Sequence, residues 1–322
     1  MSADHLLIVG FGGPTPDKTA HESGKSEAYR FVSGIFGDNP ARQARVDEVV
    51  KHYEALGGFS KFNEITEAQA DALGGELRRR GIELKILCGF DHWRPHIADR
   101  VTDLAQAGCR EFLTLVMSPH QSAVSWDGYL RRVSEGLDAL DEDKRPKLVG
   151  VVEPWWNRAG FIEAVADRIA AAAKELGASL AAEDCGLLLS AHAVPLSIVK
   201  TSPYIRQVEE TAKLVAEKTG AKHWRVGYQS APSDSRIPWT EPFIAEAMEQ
   251  LNGLGAVKVV GAPIGFLCDN LEVLYDLGVE GARIAEGLKV KFKRAEAVNV
   301  HKAFIALLAD QVEAKLKDVV SA

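Results

Sequence analysis

The sequence predicts an α/β protein of two similar halves, each a doubly wound parallel sheet with helices on both faces. Three observations predict it. Short apolar runs of strand length alternate with segments of helical period along all 322 residues. The pattern also repeats: Pro95, Ile97, Ala98, Leu104 and Gly108 recur as Pro242, Ile244, Ala245, Leu251 and Gly255, 147 residues further on. The same spacing carries Phe112 and Leu113 onto Val259 and Val260. Finally, the opening run LLIVGFGGP (Leu6–Pro14) has the form of LLLSAHAVP (Leu187–Pro195). These imply two halves facing each other across a cleft. The first covers 1–150, with an insertion at about 15–60, and the second covers 151–322 with closing C-terminal helices.

Leu6–Gly10 is the first strand, and Phe11–Gly12–Gly13–Pro14 turns sharply after it. Two glycines there could cradle a phosphate, but GFGGP lacks the GxGxxG spacing and has no following Lys-Ser/Thr. Thr15–Phe59 is too long for a plain connection and reads as a lid or lip, with helical turns around Val46–Leu56. Gly57–Gly58 breaks the chain, and Ile65–Arg80 is an amphipathic helix with Thr66 as its cap. Glu83–Cys88 is the second strand, Ile97–Ala107 a helix ended by Gly108, and Glu111–Met117 the third strand. Tyr129–Leu140 is helical, Lys147–Val152 a strand, and Phe161–Leu176 a helix favoured by its alanines.

In the second half, Leu187–Leu189 form a buried strand that stops in Ser190–Ala191–His192, and Pro195 keeps a helix from starting at once. A polar loop, Leu196–Tyr204, leads to the helix Ile205–Thr219. Trp224–Tyr228 is a strand running into the Ser-, Pro- and Asp-rich stretch Gln229–Trp239. Pro242–Leu251 is a helix, Val257–Ile264 a strand, and Asp269–Glu272 begin the segment after that strand. Ala282–Lys289 and His301–Lys317 close the chain as helices.

Composition narrows the function. A net charge of −7 argues against a general nucleic-acid binder, whose footprint is basic. Met1–His5 carries no basic region, Leu6–Val9 is too short for a signal core, and no apolar run approaches the roughly 18 residues of a spanning helix. Cys88, Cys109, Cys185 and Cys268 are scattered, with no CxxC pair, and read as reduced thiols in a cytoplasmic protein.

The carboxyl ends of the strands are where open α/β sheets present ligand-facing groups. His192 ends one such strand and Glu272 lies beyond the end of another, an imidazole and a carboxylate suited to handling a proton or a metal. Asp91–His92 and Ser118–Pro119–His120 occupy two further strand ends, but no local spacing supports a zinc site of His92, His120 and His192. Phe11, Trp93, Trp126, Trp155, Trp156, Tyr228 and Trp239 lie near loops, either as packing at the sheet ends or as a flat slot for a large aromatic ligand. A serine hydrolase built on Ser190, His192 and Asp269 is disfavoured. GxSxG is absent, and residues 190 and 192 lie within one strand.

The ordered set LLLSAHAVP, SPYIRQVEETAKLV, YQS at Tyr228–Ser230 with its later PW, and PIGFLCDNLEVLYDL resembles the ferrochelatases. GFGGP, YEALGGFS (Tyr53–Ser60), ITEAQA and GFDHWRPHI (from Gly89) add to it, so the resemblance runs from about Leu6 to Gly281. It implies a chelatase-like fold of two Rossmann-like halves with the macrocycle in the cleft and the 15–59 region as a lip. It implies insertion of Fe²⁺ into a porphyrin with loss of two pyrrole protons, giving haem. Fe²⁺ and porphyrin are then substrates, and enzymes of the haem pathway are candidate partners. His192 matches the family's essential histidine and Glu272 its paired acid, as base, relay or iron ligands. Phe11, Trp93, Ser118, Tyr228, Trp239 and Asn270 are assigned to the porphyrin cleft. A tight apolar slot would bend the ring and expose its nitrogen lone pairs.

Three departures stand out. Asn270 replaces the family's usual His and cannot take a proton. Phe11 stands where some members carry a metal-facing Tyr or Met. No Cys occurs after Cys268, so no iron–sulfur cluster is expected. FGGP and LEVLYDL lean toward the coproporphyrin branch over the protoporphyrin one. The alternatives are a chelatase for another metal or tetrapyrrole, and a porphyrin or haem carrier without turnover. Peripheral membrane contact is left open.

Overall fold

The computed structural model describes residues 3–16, 25–37, 39–232 and 236–321. Parts of the lip region (17–24 and 38) and of the Gln229–Trp239 stretch (233–235) therefore lie outside the described residues. The chain forms two compact units, the first of 1–117, 127–153 and 309–322, the second of 118–126 and 154–308.

The first unit is built on β1 (His5–Gly10), β2 (Lys85–Phe90), β3 (Glu111–Val116) and β4 (Lys147–Val151), all parallel, in the order β2-β1-β3-β4. Parallel neighbours need long crossovers, and helices supply them: α1 (Glu27–Phe36), α2 (Gln43–Ala55), α3 (Phe62–Arg79), α4 (Ile97–Gln106) and α5 (Trp126–Asp138). Leu6, Leu7, Ile8 and Val9 of β1 are essentially inaccessible to solvent, as expected of a central strand covered on both faces.

The second unit repeats this plan. Strands β5 (Cys185–His192), β6 (His223–Gln229), β7 (Lys258–Pro263) and β8 (Lys291–Arg294) run parallel in the order β6-β5-β7-β8. Around them lie α6 (Ala159–Leu176), α7 (Leu196–Val199), α8 (Tyr204–Thr219), α9 (Ile244–Gly253), a π-helix (Val273–Glu280) and α10 (Gly281–Gly287). On one side Leu188, Val259, Ile244, Ala247, Leu251 and Leu277 share a core cluster. Elsewhere in the unit Trp155, Phe161 and Phe304 pack with ring centroids 5.2–6.1 Å apart. Each fully buried leucine contributes about 1.5–3 kcal/mol.

The doubly wound halves read from the sequence are thus present, with matching strand orders. α4 and α9 occupy the positions that the 147-residue spacing links, and single β-bridges, Phe90 to His96 and Tyr228 to Phe243, precede them in the same way.

Several local readings are amended. Within the lip, α1 forms unforeseen. The Ser26 hydroxyl accepts from the Tyr29 N–H, Gly37 at φ 67° ends the helix, and Phe31 and Val32 are buried. Thr66 is not a cap: α3 already starts at Phe62, and the Thr66 hydroxyl donates to the Phe62 carbonyl from inside the helix. β8 went unread because Lys-Phe-Lys-Arg carries charges typical of an edge strand.

The division near 150 is also refined. Residues 118–126 belong to the second unit. The closing helix α11 (Lys302–Ser321) is shared, its residues from 309 onward packing with the first unit. There the Lys315 stem lies over Gly150, its ammonium meets Glu153 at 2.7 Å, and Arg80 donates to Asp310 at 2.6 Å. No described helix is long and apolar enough to cross a membrane.

Candidate active site

β5 is the central strand of the second sheet, buried along its length until its last residue, His192, reaches partial exposure. One hydrogen bond holds the His192 ring and another its backbone. Nδ1 donates to the Ala193 carbonyl at 2.5 Å, and the His192 carbonyl accepts from the Tyr204 hydroxyl at 2.8 Å. Nε2 is thereby left facing Glu272 Oε1 at 3.5 Å. The two side chains are 38% and 29% exposed, so the pair is held yet reachable by a small ion or a flat ligand.

Glu272 arrives by a different route. After β7 the chain folds closely over the end of β5. The Gly265 N–H donates to the Ser190 carbonyl at 3.0 Å, and a Cβ on Gly265 would sit 2.8 Å from Ala191 Cα. Only glycine fits that crossing. Asp269 then anchors the start of the helix, accepting from Arg294 (2.6 Å), from the Ala297 N–H (3.2 Å) and from the Asn299 amide (2.8 Å). The Asn270 side chain accepts from the Val273 N–H at 3.1 Å, a helix cap. From Val273 the helix takes the wide π form, which is rare and concentrates at functional sites. Gln229, at the end of β6, donates to the Glu272 carbonyl at 2.8 Å and ties the new helix to the sheet.

A residue that sequence reasoning missed completes the site. Asp276 lies one turn beyond Glu272, is 8% exposed, and accepts a hydrogen bond from the Ser230 hydroxyl. The i, i+4 spacing of Glu272 and Asp276 within PIGFLCDNLEVLYD was the available signal.

The protonation states of this group are coupled. Burial disfavours the His192 imidazolium, but the Glu272 carboxylate, with help from the Ala193 carbonyl and Asp276, outweighs it and raises the imidazole to about 9. Burial raises Asp276, which the Ser230 hydrogen bond opposes and the charges of Glu272 and Glu280 reinforce, to about 7. At neutral pH the resting pair is therefore an imidazolium beside a carboxylate, with a carboxyl group behind it poised between its two forms. An imidazole, a carboxylate and a half-titrated acid in file can take up protons and release them stepwise, or offer nitrogen and oxygen ligands to a divalent metal.

The other expected site residues have varied surroundings. Phe11, in the first unit, is half-buried, its ring centroid 4.5 Å from that of His92 and 6.1 Å from that of Phe31. Trp93 is only 6% exposed and donates from its indole to Thr15 at 3.0 Å. In the second unit, Tyr228 is 3% exposed, while Trp239 and Asn270 remain half-buried. The Ser118 hydroxyl is used within its own loop, donating to the His120 carbonyl at 3.0 Å. Phe11, Trp239 and Asn270 thus keep exposed surface, whereas Trp93 and Tyr228 keep little. His120 is buried, bonded to Thr211, with burial pushing it down to about 3, so it stays neutral. Trp155 is core packing, and the Ser190 hydroxyl is fully buried, which removes it as a nucleophile.

Comparison with known proteins gives a consistent picture. The profile of the family described as Ferrochelatase matches residues 6–316. A Ferrochelatase of Deinococcus radiodurans is 31% identical, over 98% of this chain and 96% of its own length. A Coproporphyrin III ferrochelatase of Oceanobacillus iheyensis is 34% identical, over 98% and 97%. Among solved structures, SirB from Bacillus subtilis with Fe³⁺ superposes with a TM-score of 0.57 at 13% identity, covering 97% of this chain and 94% of that one. That likeness supports the fold alone.

Proposed function

Because the chain belongs to the ferrochelatase family and is a metal-chelating lyase acting on porphyrin and iron, we propose that it inserts Fe²⁺ into coproporphyrin III in haem biosynthesis, releasing two protons. The observation that carries the mechanism is the His192–Glu272 pair, 3.5 Å apart at the end of β5, with Asp276 one turn behind it. The choice of porphyrin is supported by the Oceanobacillus relative's name and by the FGGP and LEVLYDL segments.

Metallation exchanges two pyrrole N–H protons for one Fe²⁺, so the protein must accept two protons near the metal. His192 begins with a proton on each ring nitrogen, because Glu272 stabilises its charge. An arriving cation opposes that charge and drives the Nε2 proton toward Glu272. The neutral imidazole then takes a pyrrole proton, and Asp276, ionising near 7, passes protons on one at a time. Glu272 changes role within this sequence, first as counter-ion and then as relay. Phe11, Trp239, Ser118, Trp93, Tyr228 and Asn270 are proposed as surroundings of the macrocycle, with the half-buried Phe11 and Trp239 contributing most of the apolar contact. We place the reaction in the cytoplasm, with no iron–sulfur cluster required, and with other haem-pathway enzymes as the exchange partners for porphyrin and haem.

Anaerobic metallation of coproporphyrin III and of protoporphyrin IX with Fe²⁺, monitored by absorbance, tests this directly. Faster metallation of coproporphyrin III, giving its iron complex, is expected. A preference for protoporphyrin IX would reverse the substrate assignment, and tight porphyrin binding without metallation would mean a carrier.

A further inference from the structure

At the amino end of β1, opposite the end that carries Phe11, three side chains of different ligand type converge. His5 Nδ1 lies 2.6 Å from Asp4 Oδ1, and Cys109 Sγ lies 3.8 Å from the same oxygen. All three ligand atoms fall within 4.8 Å of one another. Among the described residues this is the one group of three or more His, Cys, Asp or Glu side chains that meets that distance. Asp4 and His5 are adjacent in sequence, while Cys109 is brought in by the turn before β3.

We propose that Asp4, His5 and Cys109 form a binding site for a thiophilic divalent cation, Zn²⁺ in the first instance, distinct from the iron-handling pair at His192 and Glu272. A tetrahedral zinc ion with thiolate, imidazole and carboxylate ligands holds its ligand atoms about 3.3–3.5 Å apart, so the 2.6 and 3.8 Å contacts to Asp4 need move by less than about 1 Å, and the third separation, within 4.8 Å, by at most about 1.5 Å. Thiolate selects zinc over magnesium or calcium, and three protein ligands leave the fourth position to water. Access is built in: the Asp4 side chain is 67% exposed, whereas His5 is 3% exposed and held in place by the sheet. The residues lie in the first unit, and His192 and Glu272 in the second.

The protons balance simply. Without metal, Nδ1–H of His5 donates to the Asp4 carboxylate, and Cys109 is a thiol. Binding moves the imidazole proton from Nδ1 to Nε2, frees the Nδ1 lone pair, and releases the Sγ proton to solvent. Burial, then the Asp4 charge, pushes that thiol up to about 11, so the cation must displace a firmly held proton and affinity rises with pH. The Lys85 ammonium, close enough to influence both Asp4 and Cys109, works against the cation, but it sits on an exposed side chain that can turn away.

The test is an anaerobic titration of metal-free protein with Co²⁺, the spectroscopic stand-in for Zn²⁺. A thiolate-to-cobalt charge-transfer band in the near ultraviolet should grow to about one equivalent, disappear on adding Zn²⁺, and be absent from Cys109→Ser. It should persist in His192→Ala, which separates this site from the iron-handling one. No band in the wild-type protein, or a full band in folded Cys109→Ser, overturns the proposal. Should Cys109→Ser not fold, Asp4→Asn at the exposed rim serves instead: the titration should shift to about tenfold higher Co²⁺ or more, and an unshifted titration also overturns it.

Discussion

The two units share strand order, crossover helices and bridges, yet the ends of their central strands differ completely. β1 runs out into Phe11–Gly12–Gly13, an aromatic ring and bare backbone, with Gly12 at φ 94° and no room for a side chain against Phe90. β5 runs out into His192, and the strand beside it delivers Glu272 and Asp276 on a π-helix. The scaffold was copied and the chemistry was not. A duplicated sheet offers two equivalent ligand-facing ends; at the end of β5 the central strand itself supplies His192 of the titratable pair, whereas at the end of β1 the central strand gives an aromatic ring and Asp91 and His92 follow the neighbouring strand.

The largest effect should come from breaking the polar end. His192→Ala removes the group proposed to take the pyrrole proton and should lower kcat for metallation by about 100- to 10,000-fold while porphyrin binding persists. Phe11→Ala, at the matching end of β1, should instead raise KM and remove aromatic packing worth about 0.5–1.5 kcal/mol, leaving the pH profile of kcat unchanged. Equal loss of kcat in both variants would mean that the division of labour between the two ends is wrong.

Next in size is the charge partner. Glu272→Gln removes the strongest group that raises His192 and leaves only the Ala193 carbonyl and Asp276 against burial, so the imidazole should titrate well below about 9, read by NMR titration of its ring protons. The effect on stability has a defined sign. In the wild-type protein the raised imidazole favours folding fully below its unfolded value near 6.5, and that contribution is lost as pH rises toward 9. Glu272→Gln should flatten this part of the stability curve. An imidazole that still titrates near 9 in the variant would assign its elevation to something other than Glu272.

Asp276 should matter less to turnover, and its effect on stability has the same sign at lower pH. Its carboxyl is raised to about 7 from an ordinary value of 3.8, so between those limits the folded state holds a proton that the unfolded chain has lost. Stability therefore falls with rising pH across that window, by at most about 1.4 kcal/mol per pH unit, and levels off above it. Asp276→Asn removes the titration. It should be more stable than wild type at pH 8, the gain vanishing below about pH 4, while kcat falls about tenfold for want of a relay. A variant that is less stable at pH 8 would show that the ionised carboxylate, not the acid, is the form the fold prefers.

Much of this layout was legible in the sequence, for identifiable reasons. Leu187–Leu189 and Val259–Val260 are apolar runs of strand length, and the 147-residue spacing exposed the duplication because both copies keep the small and apolar residues that pack a helix on a sheet. His192 could be placed at a strand end from the Leu187–Leu189 run and Pro195 together. Glu272 was visible as an acid inside Leu-Glu-Val-Leu and as a strand-end partner for His192, while the family resemblance supplied the pair's roles. The π-helix was not legible, because the composition of Val273–Glu280 is that of an ordinary helix and the wider hydrogen-bond pattern leaves no mark on residue type. Asp276 was missed for the same reason: its burial depends on that pitch and on Ser230, which lies 46 residues away in the chain. How deeply Trp93 and Tyr228 sit was not legible, because aromatic residues near loops do not announce which face they present. Both are buried by neighbours the sequence could not position.

The smallest effect concerns Asn270, the feature that most set this chain apart from its family on sequence grounds. A histidine there could relay a proton, and its absence raised the prospect of a carrier without turnover. In the structure the Asn270 amide oxygen accepts from the Val273 N–H, and its own carbonyl accepts from the Leu274 N–H, so the residue starts the helix that presents Glu272. That is a task for which asparagine is among the best side chains and histidine a poor one. Asn270→Ala should therefore lower stability by about 1 kcal/mol, seen as a shift of a few degrees in Tm, with kcat within about threefold of wild type. Asn270→His should lose the same cap. If it gained turnover instead, the proton path of this chain would be limited at position 270, and the cap would be a by-product of a lost relay rather than the reason asparagine is there.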